Sequence, residues 1–195
     1  MLPDRTLSTP RLTLRPVIPA DRADLIALEA DPEVMRYLNG GRPVPEEGIF
    51  NGEYLTPRGT EPEVMAMLDR ETGAFQGWIA FFDDGLQDGM HRSEIGYRLH
   101  RTAWGKGLAT EAARALIDWA FDQGGYDCVR ASTMAVNLGS RRVMEKAGMV
   151  HVETVFPLFS DPIPGSDQGE VIYEIRRIPY QAASAANRAG SWRRP

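Results

Sequence analysis

Trp104-Gly-Lys-Gly-Leu-Ala-Thr-Glu111 lies between a strand-like run that ends at Leu99 and a helical pattern that continues to Gln123. Glycines at positions 105 and 107 allow positive φ and close approach, so that successive backbone N–H groups point into one concavity. The helix start adds partial positive charge, and the small Ala109 keeps that start accessible. The segment therefore predicts a site that holds a diphosphate.

Other interpretations of this loop remain open from the residues alone. A tight turn followed by a packed helix start fits the same pattern. A Walker loop does not fit, because Lys106 stands between the two glycines rather than after the second. A dinucleotide fingerprint does not fit either, because Thr110 occupies the place of its third glycine or alanine.

Apolar runs and turn residues on both sides of the loop predict a single α/β (α+β) domain. About seven strands are expected, at 12–15, 63–69, 75–82, 91–99, 128–134, 149–156 and 171–177. About four helices are expected, two of them short and capped by Asp21 and Asp31, and two at 108–123 and 137–147. Turns are expected at Arg70–Gly73 and at Asp83-Asp84-Gly85. Hairpins early and helical connections late imply a mixed, mostly antiparallel sheet with one βαβ unit.

The bulk composition of the 195 residues narrows the function classes. A formal net charge of −5 argues against a nucleic-acid surface and suits a cationic acceptor. One cysteine, Cys128, cannot form an internal disulfide, and no Cys/His cluster offers metal-ligand spacing. No run approaches the length of about 20 apolar residues that a membrane span needs, and no signal peptide is visible. A cytoplasmic protein without a metal is expected.

Several motifs in order carry a family resemblance. They are Thr9-Pro-Arg-Leu-Thr-Leu-Arg-Pro16, Asp31-Pro-Glu-Val-Met-Arg-Tyr-Leu38, Glu94-Ile-Gly-Tyr-Arg-Leu99, the glycine loop, and Asn137-Leu-Gly-Ser-Arg-Arg-Val-Met-Glu-Lys-Ala-Gly-Met149. Together they resemble the GNAT acetyltransferase superfamily, and in particular the branch of the ribosomal-protein N-terminal acetyltransferases. The resemblance spans roughly residues 8–178, which is the domain we expect, with 179–195 as a mobile tail.

This resemblance implies that acetyl-CoA is the co-substrate. It places the pyrophosphate on the loop backbone and the pantetheine arm along the strand of Glu94, in a gap where two strands of the sheet splay apart. The residues that it assigns to acetyl-CoA are Tyr97, Leu99, Trp104, Gly105, Lys106, Gly107, Leu108, Ala109, Thr110, Asn137 and Ser140. The Trp104 position departs from the superfamily's usual Gln or Arg, although Trp is usual in this branch.

The implied reaction is direct acetyl transfer to a primary amine, either a protein N-terminus or a small molecule. Aminolysis of a thioester needs a base for the ammonium proton and a hydrogen-bond donor for the departing thiolate. The resemblance makes Glu94 the base, directly or through water; the alternative is an ion pair with Arg92 or Arg98. Ser140, one helical turn after Asn137, is the candidate donor, unless it only satisfies local backbone groups.

Two residues leave further alternatives. Met144 stands where many family members have a tyrosine general acid, which favours a non-catalytic acyl-CoA sensor, whereas Glu94 and Ser140 favour an enzyme. Cys128 in an apolar strand is more typical of a core than of a covalent intermediate. Acceptor choice is expected to depend on the early helices and the loop at 157–170, and an exposed sheet edge near 150–178 allows a homodimer.

Overall fold

The computed structural model describes residues 6–45, 64–178 and 180. Its strands are β1 (Leu7–Ser8), β2 (Leu12–Pro16), β3 (Val64–Asp69), β4 (Phe75–Gln87), β5 (Met90–Leu99), β6 (Cys128–Met134), β7 (Val150–Val155) and β8 (Glu170–Arg176). Its α-helices are α1 (Arg22–Ala30), α2 (Pro32–Asn39), α3 (Leu108–Asp122) and α4 (Leu138–Ala147). The predicted tail and the residues between 45 and 64 lie outside the described part, apart from Tyr180.

All eight strands form one sheet in the order β1-β2-β3-β4-β5-β6-β8-β7. Every neighbouring pair is antiparallel except β5 and β6, which α3 connects as a βαβ unit. The mixed, mostly antiparallel sheet is confirmed. The extra strand is the two-residue β1, which is too short to give an alternating apolar pattern.

The parallel ladder between β5 and β6 is short. Its pairs are Arg92 with Cys128, Ser93 with Val129 and Glu94 with Arg130. Both strands then continue, to Leu99 and Met134, without pairing with each other. The sheet therefore splays beyond Glu94, as the family resemblance implies, and the facing backbone groups have no partner strand in the described part of the chain.

Helices cover the two faces of the sheet unequally. The apolar stripe of α3, which includes Leu116 and Ile117, packs with α4 residues such as Met144 into the larger core. On the opposite face, Leu25 and Leu28 of α1 pack against Val64, Trp78 and Ala80 of β3 and β4. The face over β6 and β8 is more open, because Ser132 and Arg176 are exposed there. None of the described helices is long and apolar enough to cross a membrane.

Two local predictions were wrong. Asp83-Asp84-Gly85 is not the turn between β4 and β5; it is a bulge inside β4, where the register shifts between Asp83 and Gly85. The turn is Asp88-Gly89, with φ values of 50° and 76°, which is the geometry that Asp-Gly favours in a two-residue hairpin.

Asp21 does not cap α1 with its side chain. Its carboxylate instead accepts from the Ile18 backbone N–H at 2.9 Å and forms a two-bond pair with Arg15, each bond 2.7 Å long. The guanidinium offers the carboxylate stronger, charge-assisted bonds than the helix start does. The second predicted cap is confirmed, because Asp31 accepts from the Glu33 N–H at 2.9 Å.

Candidate active site

The glycine loop has the geometry of an anion cradle. Gly105 and Gly107 have φ values of 72° and 77°, which side chains rarely adopt. Gly107 is the N-cap of α3 and supplies no side-chain cap, so the first N–H groups of the helix are left for another acceptor. A Cβ built on Gly105 meets no atom within 4 Å, so the space beside the loop is open. The residues present therefore fit a diphosphate at the start of α3.

Within this segment the side chains have different surroundings. Leu108 and Thr110 are buried, Ala109 is half-buried, and Lys106 is exposed. Trp104 is 47% exposed, and its indole Nε1–H donates to the backbone oxygen of Leu99 at 2.7 Å. The tryptophan thus fixes the loop to the end of β5. Gln or Arg at this position would need a different side-chain geometry to make the same contact.

A carboxylate in the first turn of α3 ties the loop to the β1–β2 turn. Glu111 accepts from the Thr9 hydroxyl at 2.6 Å, from the Arg11 backbone N–H at 2.8 Å and from the Arg11 Nε at 2.7 Å. The Arg11 Nη1 also donates to the backbone oxygen of Lys106 at 2.8 Å. Burial opposes ionisation of Glu111, but the Thr9 and Arg11 hydrogen bonds outweigh it and lower its pKa.

Tyr97 bridges the splay between β5 and α4. Its hydroxyl lies 3.1 Å from the Ser140 backbone oxygen and 3.0 Å from Ser140 Oγ. Burial raises the pKa of Tyr97 to about 12, an effect that the Ser140 hydrogen bond only partly offsets. Tyr97 therefore stays protonated at any physiological pH, and its hydroxyl holds Ser140 at the edge of the gap.

Asn137 is the N-cap of α4. Its Oδ1 accepts from the Ser140 N–H at 3.2 Å, and its Nδ2 donates to Thr133 Oγ1 at 3.0 Å. Asn137, Ser140 and Tyr97 thus form one hydrogen-bonded group across the gap. Leu99 is 6% exposed and belongs to the core, so only its backbone is available to a ligand.

Glu94 stands at the last parallel pair, where the splay begins. Its Oε1 accepts from the Ser132 hydroxyl at 2.9 Å. The two arginines that the sequence offered as ion-pair partners are engaged elsewhere: Arg98 pairs with the buried Glu29, and Arg92 with Glu174. Glu94 therefore remains half-exposed beside the gap, with a single hydroxyl as its partner among the described residues.

Cys128 and Met144 lie apart from this chemistry. Cys128 is fully buried, and burial raises the pKa of its thiol, so that the nucleophilic thiolate is disfavoured. Met144 is 1% exposed within the core under α3. Among the described residues, no three metal-binding side chains converge.

The chain matches the acetyltransferase (GNAT) domain family over residues 11–150. The chain belongs to the GNAT acetyltransferase family. Its match to FsC-acetyl coenzyme A-N(2)-transacetylase of Aspergillus fumigatus is 36% identical and covers 88% of this chain and 76% of that protein. This membership makes the chain an acetyl-CoA-dependent acyltransferase.

Two solved GNAT-type structures share the fold. The acetyltransferase of Agrobacterium tumefaciens is 28% identical, with a TM-score of 0.68, over 90% of this chain and 96% of its own. The GNAT acetyltransferase of Bacillus anthracis is 25% identical, with a TM-score of 0.72, over 89% of this chain and 99% of its own. The single GNAT domain expected from the motifs is therefore confirmed.

Sequence reasoning missed three contacts of the site. These are the Trp104 bond to Leu99, the Tyr97 bond to Ser140 and the Glu111 bonds to Thr9 and Arg11. A signal existed for the last, because the Thr9-Pro-Arg motif and the glycine loop both belong to the family pattern. Nothing in residue spacing indicated that they touch.

Proposed function

We propose that the chain transfers the acetyl group of acetyl-CoA directly to a primary amine within a ternary complex. The observation that carries this proposal is the position of Glu94, a half-exposed carboxylate at the point where β5 and β6 separate, with no arginine partner among the described residues. The name of the Aspergillus relative, an N(2)-transacetylase, supports a nitrogen acceptor. The acceptor is a protein N-terminus or a small-molecule amine.

Glu94 takes the proton of the bound ammonium group, directly or through one water. An alkyl ammonium has a pKa near that of lysine, about 10.4, so an amine at neutral pH needs such a base before it can attack. The hydrogen bond that Ser132 donates to Glu94 orients the carboxylate without neutralising its charge. The nitrogen then forms its bond to the acetyl carbon as the carbon–sulfur bond breaks.

Ser140 donates a hydrogen bond to the departing sulfur, and the second proton that the nitrogen loses on becoming an amide passes through water to the thiolate, which leaves as the thiol. Tyr97 positions this hydroxyl by donating its proton to Ser140 Oγ at 3.0 Å, which leaves the serine proton free to point into the gap. A fully buried Cys128 favours direct transfer over a covalent acetyl-enzyme.

Acetyl-CoA supplies the thioester and is held, in this proposal, by the backbone of the segment Trp104 to Thr110, the edge of β5 at Tyr97 and Leu99, and the group formed by Asn137 and Ser140. The free N–H groups at the start of α3 support the diphosphate position. The unpaired edge beyond Glu94 supports an extended arm in the splay.

The alternative function, a non-catalytic acyl-CoA sensor, loses its main support, which was Met144 in place of a tyrosine. Met144 belongs to the core, and the hydroxyl next to Ser140 comes from Tyr97 on β5 instead. The absence of a tyrosine from α4 therefore does not leave the site without a hydroxyl pair.

The test is steady-state kinetics with acetyl-CoA, a panel of primary amines and thiol release as the signal. Glu94→Gln is expected to lower kcat by about 10²–10⁴-fold, with little change in the KM for acetyl-CoA. Glu153→Gln, an exposed carboxylate on β7, is the matched control and should retain activity. Full activity in Glu94→Gln would remove the base assignment. Parallel rather than intersecting double-reciprocal lines would contradict a ternary complex.

The exposed edge strand β7 supports a homodimer. Val150 and Val152 are 63% and 46% exposed, and Phe156 just beyond the strand is 69% exposed. An open apolar edge is a template for pairing with a second copy. Light scattering should give twice the 21.7 kDa chain mass. A monomer at tens of micromolar would contradict this proposal.

A further inference from the structure

Three arginines surround one carboxylate on the sheet face that carries Glu94. Glu174, 6% exposed, has Arg92 Nη1 at 3.3 Å, Arg130 Nε at 3.2 Å and Arg176 Nη2 at 3.4 Å. The register pairs Glu94 with Arg130 and Arg130 with Glu174, and directly paired residues project to the same face. Arg92 lies two residues before Glu94 on the same strand and so shares that face.

The three guanidinium groups of this cluster share two ion-pair partners among the described residues, the buried Glu174 and the exposed Asp88. The further carboxylate Asp88 is 3.7 Å from Arg92, but its side chain is 88% exposed, so its attraction is screened. Burial raises the pKa of Asp84, which also interacts with the charges of Arg130 and Arg92. Glu94 stands opposite Arg130 in the register, and in the proposed function it faces the ammonium group of the acceptor.

The cluster also has a buried donor without an acceptor. Arg92 Nε has no hydrogen-bond partner within the described part of the chain, and Arg130 Nε, 3.2 Å from Glu174, lacks the alignment of a hydrogen bond. Arg176 is 56% exposed, and its ion-pair partner among the described residues is Glu174 alone. Buried donors are rarely left unsatisfied, and guanidinium groups match carboxylate and phosphate oxygens in two-bond geometry.

The position of the cluster relates it to the reaction. Neighbouring strands lie about 4.8 Å apart, and residues two apart on one strand lie about 6.6 Å apart. An anion held between Arg92 and Arg130 is therefore one strand spacing or one strand repeat from an amine at Glu94, whereas Arg176 stands on β8, a second strand spacing away. Both groups belong to one acceptor molecule if its amine and its anion are about 5–7 Å apart.

We propose that the arginine cluster binds an anionic group of the acceptor, a carboxylate or a phosphate, so that the enzyme prefers amines with an anionic tail over diamines and polyamines. This inference rests on the proposed function, because it takes Glu94 as the place of the amine. It also adds an anionic group to the cationic acceptor that the net charge suggested.

The experiment compares four amines of similar length: γ-aminobutyrate, its neutral amide, aminopropyl phosphate and the diamine putrescine. The wild-type kcat/KM for an anionic amine should exceed that for the amide by at least about tenfold, the effect of one charge-assisted hydrogen bond. Comparison of the carboxylate with the phosphate identifies the tail. A preference for putrescine or for the amide would overturn the proposal.

Variants then locate the preference. Arg130→Gln and Arg176→Gln should raise the KM for the anionic amine and leave the amide, putrescine and the KM for acetyl-CoA unchanged. Arg177→Gln is the matched control. Arg177 follows Arg176 in the sequence, but its guanidinium pairs with Asp127 instead of Glu174. An equal loss for all four amines in Arg130→Gln would indicate a structural role and overturn the proposal.

Direct binding separates this inference from the proposed function. Calorimetry with CoA present should show tighter binding of the anionic amines than of the amide, and the difference should vanish in Arg130→Gln. Anion-selective binding without turnover would support an anion site at the arginine cluster and contradict the proposed reaction. Turnover of amines without anion selectivity would sustain the reaction while the cluster proposal fails.

Discussion

At the scale of single residues, the chain ties charged side chains to backbone groups near the sheet edge. The Arg15 and Asp21 pair is the clearest case, because Asp21 is 5% exposed. Burial opposes ionisation of Asp21, yet the Arg15 guanidinium and the Ile18 N–H outweigh it and lower its pKa. The pair therefore stabilises the fold at every pH above the unfolded-state pKa, about 3.9.

Asp21→Asn is expected to lower the free energy of unfolding at pH 7 by about 1.5–3 kcal/mol, the usual effect of hydrogen bonds to a charged group. The difference from the wild type should shrink as the pH falls below about 4, since protonation removes the same charge from the wild type. Urea unfolding at pH 7 and near pH 3 measures this, with the exposed Asp24→Asn as control. An equal difference at both pH values would contradict the account.

Tyr97→Phe removes the hydroxyl that holds Ser140. The expected result is a kcat lower by about 2–12-fold, the equivalent of one hydrogen bond, with an unchanged KM for the acceptor. Because the pKa of Tyr97 is raised to about 12, the wild-type pH profile should show no limb from this group below about pH 11. A Tyr97→Phe enzyme with wild-type kcat would remove the positioning role.

At the scale of elements, α3 depends on a turn far away in sequence. Glu111 and Arg11 are 100 positions apart, yet their bonds connect the β1–β2 turn to the loop that precedes α3. The loop conformation is thus set by the φ values of the two glycines and by the hydrogen bonds that Arg11 makes with Glu111 and Lys106. Glycine alone leaves a loop many alternatives.

Glu111→Gln should therefore weaken both the fold and the cradle. We expect the free energy of unfolding to fall by about 1–3 kcal/mol and the KM for acetyl-CoA to rise several-fold, with kcat nearly unchanged. Thermal unfolding and initial-rate kinetics measure the two effects, with Glu153→Gln as control. A stability loss without any change in the KM would show that the Glu111 hydrogen bonds do not shape the loop.

The sequence was sufficient to predict most helices and strands, but it was insufficient to predict the side-chain contacts between them. Both long helices and the βαβ unit could be predicted, because apolar periodicity and glycine stops coincide there, whereas the splay followed from the family resemblance alone. The β4–β5 turn was misplaced because Asp83-Asp84-Gly85 and Asp88-Gly89 give similar turn signals, and only the strand register distinguishes a bulge from a hairpin.

The site divides in the same way. The loop residues follow from local backbone geometry, whereas the Tyr97–Ser140 bond depends on how far β5 and β6 separate, which is a tertiary property. The roles of Glu94 and Ser140 stay predictions until the kinetics are measured.

At the scale of the whole molecule, two segments that are far apart in the sequence meet. Arg42, just after α2, pairs with Asp161 of the β7–β8 loop at 2.5 Å, and Ile163 of that loop packs beside Gly40. At its other end, the same loop packs Gly165 against Val136, before α4. The early helices and this loop, both expected to set acceptor choice, therefore form one continuous surface rather than two separate ones.

The central claim is that the start of α3 holds the diphosphate of acetyl-CoA. Thermal unfolding with acetyl-CoA tests it, because a ligand that binds only the native state stabilises it by mass action. At about 100 times the dissociation constant, stabilisation of about 2.7 kcal/mol should raise Tm by about 5–10 °C. Acetyl-pantetheine, which lacks the diphosphate, should give a much smaller shift at the same concentration. No shift with millimolar acetyl-CoA, or equal shifts with both ligands, would contradict the account.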